Sequence, residues 1–217
     1  MAGEEHPAGA ILAHGAAERL ARSREPISLR PAQQEAREPA PANRGALIAL
    51  LQLAFSGELA AAHAYRGHAR SVADPEERKA IESIEREEWH HRELVGRMLA
   101  ELGARASRAR ELRAALVGRV LGLLCHVSGW LAPMYGAGRL ESRNIREYEA
   151  AARLARASGH AEWVDCLLTM AEVEWEHEHY FRARVLSHGW AGRLPMWPVP
   201  PPKETIRASE TAAASAS

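Results

Sequence analysis

The chain has 217 residues, of which 47% are hydrophobic and 26% are charged, and its 28 basic and 28 acidic residues balance to a formal net charge of zero. This length suits one domain with tails, and the balanced charge gives no indication of a nucleic-acid-binding protein. The two cysteines lie in apolar helical patterns without a closely spaced partner, which predicts free thiols in a reducing compartment and not a disulfide framework.

The two ends of the chain, residues 1–43 and 191–217, differ in composition from the middle. The first is predicted to be a disordered N-terminal arm, because prolines interrupt it and large apolar residues are too few for it to fold alone. It begins with acidic side chains where a signal peptide would be basic, so we expect a cytoplasmic protein. The other end is a Pro-rich, low-complexity C-terminal tail that includes PMWPVPPPKE, a stretch that cannot be helical.

Residues 44–190 are predicted to be almost entirely helical, because apolar residues recur there at spacings of three and four. Four long helices are expected, over residues 44–72, 75–103, 137–157 and 160–188. Asp74 and Pro75 form an N-cap followed by proline at the first helical position, and Ser158-Gly159 separates the last two helices.

An apolar stretch from Ala114 to Tyr135 connects the second and third long helices. Arg119, His126 and Pro133 interrupt it too often for a transmembrane span, which needs about 20 apolar residues. Its first part is predicted as a crossover helix that either lines the core or forms an interface with an apolar substrate or a membrane. Two helical hairpins joined by a long crossover predict an all-α, ferritin-like four-helix bundle.

The fourth long helix contains two overlapping copies of the spacing Glu-x-x-His in MAEVEWEHEHYF. Glu174 and His177 continue the apolar seam of this helix, the row of residues at steps of three and four that would face a core. Glu176 and His179 fall on a mixed and partly charged face. The pattern therefore favours Glu174 and His177 as inward-facing residues.

The second helix contains a similar overlap. Glu88 and His91 lie on its apolar seam, between Ile84 and Val95. Glu87 and His90 lie close beside that seam, so the pattern favours Glu88 and His91 without excluding the neighbouring pair.

The first and third helices each place a single glutamate on their seam. Glu58 is the acidic residue of the first helix, and Glu141 is favoured in the third, where Glu147 competes with it. Glu58 and Glu88 are equally far from the turn between their helices, about 22 Å along each helix at about 1.5 Å per residue. Glu141 and Glu174 are likewise centred on the second turn. The carboxylates are therefore expected at one height within each hairpin.

Buried carboxylates cost several kcal/mol each unless a counter-charge neutralises them. One glutamate from each of two helices, with Glu-x-x-His from each of two others, is the pattern of ferritin-like di-iron and di-manganese sites. Side chains three residues apart share a helical face, so both can reach one ion. The predicted metal ligands are Glu58, Glu88, His91, Glu141, Glu174 and His177. This donor set predicts two Fe ions, with manganese or a mixed Fe/Mn pair as alternatives.

At these residues the chain resembles the demethoxyubiquinone hydroxylase family, which consists of ferritin-like di-iron proteins of ubiquinone biosynthesis. GELAAAHAYRG, from Gly57 to Gly67, is similar to the first-helix motif GE-x-x-A-x-x-x-Y-x-G of that family, and EWEH is similar to its fourth-helix motif. The resemblance favours Glu88 and His91 through their distance from the first glutamate. It also favours Glu141, because the family has a tyrosine seven residues after its third-helix ligand, as LESRNIREY has here.

The resemblance, over about residues 44–180, implies a di-iron oxidase or monooxygenase that activates O2 and hydroxylates an apolar, quinone-like substrate. Tyr65 and Tyr148, each seven residues beyond a predicted ligand glutamate, are most simply core aromatics, and they are also candidates for an electron or proton relay. The family usually has a histidine just before the third-helix tyrosine, where this chain has Glu147.

The expected partners are O2, an electron donor and an apolar small molecule, and no nucleic acid. A peripheral membrane contact through residues 114–135 and a homodimer stay open. The other histidines of the helices, such as His68, are expected at the surface or beside the ligands. Two alternatives remain: a ferroxidase, iron-storage or peroxide-scavenging protein without an organic substrate, and a metal-free interaction module.

Overall fold

The computed structural model describes residues 41–208. Five long helices follow in chain order, which we label α1 (Pro41–Ser71), α2 (Pro75–Glu101), α3 (Arg108–Leu124), α4 (Leu131–Ala157) and α5 (Val164–Ser187). Short 3-10 turns at Ala161–Trp163 and Ala191–Arg193 precede and follow α5. Residues 41–208 contain no strand, so the predicted all-α class is confirmed for this part of the chain.

The predictions for the two ends of the chain fall largely outside the described range. Of the predicted disordered arm, residues 1–40 are not described, and residues 41–43 belong to the first turn of α1. Of the predicted tail, residues 209–217 are not described. The division into an arm, a domain and a tail stays a prediction.

The four predicted long helices and the crossover helix are all present, with shifts at their ends. The largest shift is at α4, which begins at Leu131 and not at residue 137. Pro133 is the third residue of α4, where its missing N–H is no loss, because the first four N–H groups of a helix have no acceptor within the helix. The end of the apolar connection is therefore the first turn of α4.

Asp74 caps α2 as its sequence position predicts. One carboxylate oxygen, Oδ1, accepts hydrogen bonds from the backbone N–H groups of Glu76 at 2.8 Å and Glu77 at 3.0 Å. Pro75 occupies the first helical position, where its fixed φ suits the helix. The turn between α1 and α2 is thus fixed by local chemistry.

Glycines in the left-handed region end α2 and α4, with φ of +64° at Gly103 and +82° at Gly159. After Gly159 the N–H of His160 donates to the carbonyl of Ala155 at 2.9 Å, the bond that closes a helix ended in this way. A side chain at either glycine would strain the backbone, so these residue types set the helix ends.

The described chain divides into two compact units. The first contains residues 55–94 and 106–133, which are the second part of α1, most of α2, and α3. The second contains residues 41–54, 95–105 and 134–208, which are the start of α1, the end of α2, α4, α5 and the segment after α5.

The apolar seams that the sequence predicts are buried faces in the structure. On α2 the seam residues Ile81, Ile84, Val95 and Met98 are at most 1% exposed. On α5 the seam residues Leu167, Met170, Phe181 and Val185 are at most 2% exposed. The periodicity of three and four therefore identified the inward faces of both helices correctly.

In the first unit, α3 packs on α1 through close backbone contact at glycines. A Cβ atom added at Gly118 would lie 2.3 Å from the carbonyl oxygen of Ala60, and one added at Gly122 would lie 2.9 Å from that of His63. Only a residue without a side chain permits this approach. Along its other side, α3 carries apolar side chains, and the row continues to Val127 just after the helix. These side chains are 47–78% exposed, and we call them the exposed α3 face: Leu112, Leu116, Val120, Leu123 and Val127.

By length and composition, α1 is the one helix within residues 41–208 that could cross a membrane, over Ala42–Ser71. The buried core helix of a soluble protein meets the same criterion. Seam residues of α1 such as Leu47 and Leu51 are fully buried, as a core helix requires. The criterion alone therefore assigns no membrane span.

Candidate metal centre

Three predicted ligands lie together in the first unit: Glu58 on α1, and Glu88 and His91 on α2. They are 4%, 0% and 3% exposed. Each offers a ligand atom, and these three atoms all lie within 4.8 Å of one another. Glu88 and His91 share a face because they are three residues apart on one helix. We call these three residues the first trio.

The second unit contains the other three predicted ligands: Glu141 on α4, and Glu174 and His177 on α5. All three side chains are 0% exposed. Their ligand atoms also lie within 4.8 Å of one another. The Nδ1 atom of His177 is 3.6 Å from Oε2 of Glu174, which the spacing of three residues along α5 accounts for. We call these residues the second trio.

Asn144 supports the second trio, a role that the sequence analysis missed. Its Nδ2 atom donates a hydrogen bond to Oε2 of Glu141 at 2.9 Å. The bond orients this carboxylate and stabilises its ionised form. Asn144 lies three residues after Glu141, so the helical spacing could have indicated the contact once Glu141 was chosen.

The overlapping copy of Glu-x-x-His on α5 has other partners. Glu176 forms an ion pair with Lys203, and His179 is exposed and stacks on Trp175 with ring centroids 5.0 Å apart. Both residues therefore lie on the side of α5 that faces away from the second trio, as the sequence pattern predicts.

The competing residues of α2 and α4 are also less buried than the residues that the pattern favours. Glu87 and His90 are half-buried, in contrast to the pair in the first trio. Glu147 pairs with Arg143 at 2.6 Å across one turn of α4, in a partly exposed position. The ligand assignment itself stays a prediction.

Tyr65 and Tyr148 are buried, at 3% and 2% exposure. Tyr65 lies on α1 in the first unit, and Tyr148 lies on α4 in the second. Both positions agree with the prediction that these tyrosines are aromatic residues of the core. A relay role stays a prediction.

His68 is a buried histidine outside both trios. It lies on α1 and is 2% exposed. Loss of hydration on burial lowers the pKa of His68 to about 4, so its imidazole is neutral at pH 7. The sequence predicts His68 either at the surface or beside the ligands and does not distinguish these two positions.

The donor chemistry of each trio fits a divalent metal ion. Two carboxylates and one imidazole, all withdrawn from water, carry negative charge that is costly to bury alone. A cation offsets that cost, and this mixture of oxygen and nitrogen ligands suits Fe(II) or Mn(II). Neither trio contains a thiolate, since Cys125 and Cys166 lie elsewhere as free cysteines. The residues present therefore fit the metals that the sequence predicts.

Comparison with known proteins gives one match. A family model described as "Ubiquinone biosynthesis protein COQ7" matches residues 46–180, which include both trios. No curated protein and no solved structure matches the chain.

Proposed function

Because the chain belongs to the COQ7 family of ubiquinone biosynthesis proteins, we propose that it is a di-iron monooxygenase that hydroxylates an apolar, quinone-like substrate. The family consists of ferritin-like di-iron hydroxylases, so membership confirms the predicted resemblance and the predicted ferritin-like fold class. Membership covers 46–180, the part of the chain that contains every predicted ligand.

The observation that carries the proposal is the pair of buried trios. In this proposal Glu58, Glu88 and His91 hold one iron, and the second trio holds the other. When bound, two ferrous ions would supply two of the four electrons that O2 accepts, the substrate C–H bond would supply the other two as it is hydroxylated, and an external electron donor would return the irons to the ferrous state. A bound cation would offset the cost of withdrawing the carboxylates of each trio from water, which supports the proposal.

The protein itself would contribute orientation and exclusion of water. Burial of the ligand side chains keeps bulk water away from the metals, which protects a reactive oxidant from side reactions. Asn144 holds the carboxylate of Glu141 in a fixed orientation through the bond at 2.9 Å. Tyr65 and Tyr148 remain candidates for the movement of an electron or a proton.

The test is anaerobic loading of the purified chain with Fe(II), followed by O2 with and without a quinol-like substrate. We expect about two irons per chain and, in a single turnover with substrate, about one product molecule per two irons that is heavier by one oxygen atom, with further turnovers only when an electron donor is added. The matched control is the double variant Glu58→Ala, Glu141→Ala, which should neither load fully nor form product. Oxygen consumption that yields only ferric mineral would replace the hydroxylase by a ferroxidase.

A long apolar substrate would partition into a membrane. We propose that the protein is cytoplasmic and that the exposed α3 face brings it to the membrane surface. Apolar side chains on this face recur at helical spacing and are 47–78% exposed. Arg113 and Arg119 are exposed and flank the row by helical spacing. An apolar row with basic flanks is typical of a helix that lies in the interface of an anionic membrane.

Flotation with vesicles of phosphatidylcholine and phosphatidylglycerol tests the membrane contact. We expect the wild-type chain to float with the vesicles, and the double variant Leu116→Glu, Leu123→Glu to lose most of this binding. Leu186→Glu is the control, because Leu186 is 55% exposed on α5 and lies outside the exposed α3 face. Equal flotation of all three proteins would remove α3 from the membrane contact.

A further inference from the structure

The segment after α5 packs back on the second unit, and its residues lie beyond the family match, which ends at residue 180. We call residues 195–207 the C-terminal strap. Trp175 Nε1 donates to the carbonyl of Pro201 at 2.9 Å, and Arg207 donates to Glu172 and Asp165 at 2.5 Å each. These contacts fasten the strap along the outer side of α5. Exposed ion pairs of this kind contribute little individually.

Trp197 is the part of the strap that is inserted into the unit. Its side chain is 7% exposed. A Cβ atom added at Gly138 on α4 would lie 2.5 Å from Cζ2 of the Trp197 ring, so the ring fills a slot that only glycine leaves open. Tyr135 contacts the same ring edge-on, with centroids 5.2 Å apart.

The indole N–H of Trp197 is satisfied by a buried carboxylate. Nε1 donates to Oε1 of Glu178 at 2.6 Å, and Glu178 is 1% exposed. Arg182 donates to the same oxygen at 2.7 Å and places its guanidinium over the Trp197 ring, 4.7 Å from the centroid. Arg182 also donates to the carbonyl of Pro198 at 2.9 Å. The buried charges therefore compensate one another, and the strap completes the arrangement.

These contacts lie within one helical turn of the second trio. Gly138 comes three residues before Glu141 on α4, and Glu178 directly follows His177 on α5. Trp197 thus contacts α4 by its ring, and α5 by its N–H and through the Arg182 guanidinium over its ring. Its indole joins the two helices that carry the second trio.

We infer that Trp197 is a positioning residue for the second trio, an inference that rests on the proposed metal centre. By joining α4 at Gly138 to α5 at Glu178, it fixes how far apart the two helices hold their ligands. Groups that orient metal ligands from outside typically change metal affinity by about 10-fold to 100-fold when they are removed. Because Trp197 acts through Glu178, we expect an effect at the lower end, about 10-fold.

The experiment uses the full chain and Co²⁺ as an optical probe of the metal geometry. Trp197→Phe keeps a ring in the slot and removes the N–H donor, whereas Trp197→Ala removes both. Each is made in a His91→Ala background, which removes the imidazole of the first trio, so that the second trio is the remaining complete site. We expect Trp197→Phe to weaken Co²⁺ binding about 10-fold and to alter the d–d absorption spectrum of the bound ion.

The matched control is Trp190→Phe, the same substitution at a tryptophan that is 61% exposed and outside the strap. It should leave affinity and spectrum unchanged. An unchanged affinity and spectrum in Trp197→Phe, even with a lower melting temperature, would overturn the positioning role and leave the metal centre standing. A wild-type chain that binds no Co²⁺ would overturn the metal centre and the positioning role together.

Discussion

Six carboxylate or imidazole side chains, three in each unit, are at most 4% exposed and are the proposed metal ligands. Each ionised carboxylate loses its hydration on burial, which costs several kcal/mol unless a partner or a cation compensates it. A protein keeps such groups inside when they have a function that apolar residues cannot supply. At the scale of single residues, burial separates the proposed ligands from most other acidic residues of the same helices. Glu178 on α5 is equally buried, at 1% exposure, but it accepts hydrogen bonds from Arg182 and Trp197.

Glu88→Ala should remove the metal of the first trio. The remaining Glu58 and His91 leave a cation with too few ligands, so bound metal should fall from about two ions to about one or fewer per chain. Glu87→Ala is the matched control, because Glu87 is half-buried and should be dispensable. Elemental analysis after anaerobic Fe(II) loading measures both. Loss of metal in Glu87→Ala with retention in Glu88→Ala would move the site to the neighbouring face of α2.

His68 should make the stability of the fold depend on pH. Burial lowers the pKa of His68 in the folded state to about 4, below its ordinary value of 6.5. The unfolded chain therefore binds a proton more readily, and stability falls as the pH drops from about 6.5 towards 4. Between pH 7 and pH 5 the free energy of unfolding should fall by about 2 kcal/mol through this group.

Urea unfolding of the wild type and of His68→Gln at the two pH values tests this expectation. The variant should lack the contribution of this residue and show a smaller fall with pH. The same dependence in both proteins would show that His68 is not responsible. Carboxylates and other histidines contribute equally to the two proteins, so the difference between their pH dependences isolates His68.

At the scale of elements, α3 has two sides of opposite character. Gly118 and Gly122 bring its backbone against α1, while leucine and valine side chains on its other side are exposed. A soluble helix normally has the reverse arrangement, with large apolar residues inwards. The close approach requires glycine on the inner side, and the membrane proposal accounts for the apolar outer side.

Gly118→Ala should destabilise the first unit although alanine is the better helix former. The new Cβ atom would lie 2.3 Å from the backbone carbonyl of Ala60, so α3 must shift, at a cost of about 1–3 kcal/mol. Gly136→Ala in α4 is the control, because nothing lies within 4 Å of its Cβ position. That variant should gain up to about 1 kcal/mol from helix propensity. Chemical unfolding measures the change in the free energy of unfolding for both variants. A change of the same sign in both would contradict the close contact at Gly118.

At the scale of the whole molecule, the chain combines the segment that matches the family with the C-terminal strap beyond that match. The family match covers residues 46–180, which contain all six proposed ligands and the two relay candidates, Tyr65 and Tyr148. The C-terminal strap lies outside this match and packs on the second unit through Trp197 and Arg207. The family therefore accounts for the proposed chemistry, whereas the strap is a feature that the family match does not describe.

Metal binding should raise the stability of the whole chain. A cation that binds the folded state and not the unfolded state stabilises it by about 2.7 kcal/mol when its free concentration is 100 times the dissociation constant. Thermal unfolding with Co²⁺ and with a chelator should therefore give a higher melting temperature for the metal-loaded wild type. The double variant Glu58→Ala, Glu141→Ala should show no such shift. Equal melting temperatures of the wild type under both conditions would contradict a metal centre.

The sequence by itself determined the helices, their inward faces and the candidate ligands. Helix caps act within a few residues, as Asp74 does at α2, and the burial of a helix face follows from a period of 3.6 residues. The same period places Glu174 with His177 and leaves their overlapping copies outside. All these properties depend on neighbours along the chain, so they can be predicted without knowledge of the tertiary contacts.

Only the tertiary structure decided which distant residues meet. The contact of Gly118 with Ala60 and the hydrogen bond from Trp197 to Glu178 join residues far apart in the chain, and no periodic pattern relates them. The sequence predicts a tail over residues 191–217. In the structure the Trp197 side chain within this segment is only 7% exposed. A proline-rich segment has no helical period to reveal an inward face. Its place depends on a slot that forms only when α4 and α5 have packed together, because packing is a property of surfaces in space and not of neighbours in sequence.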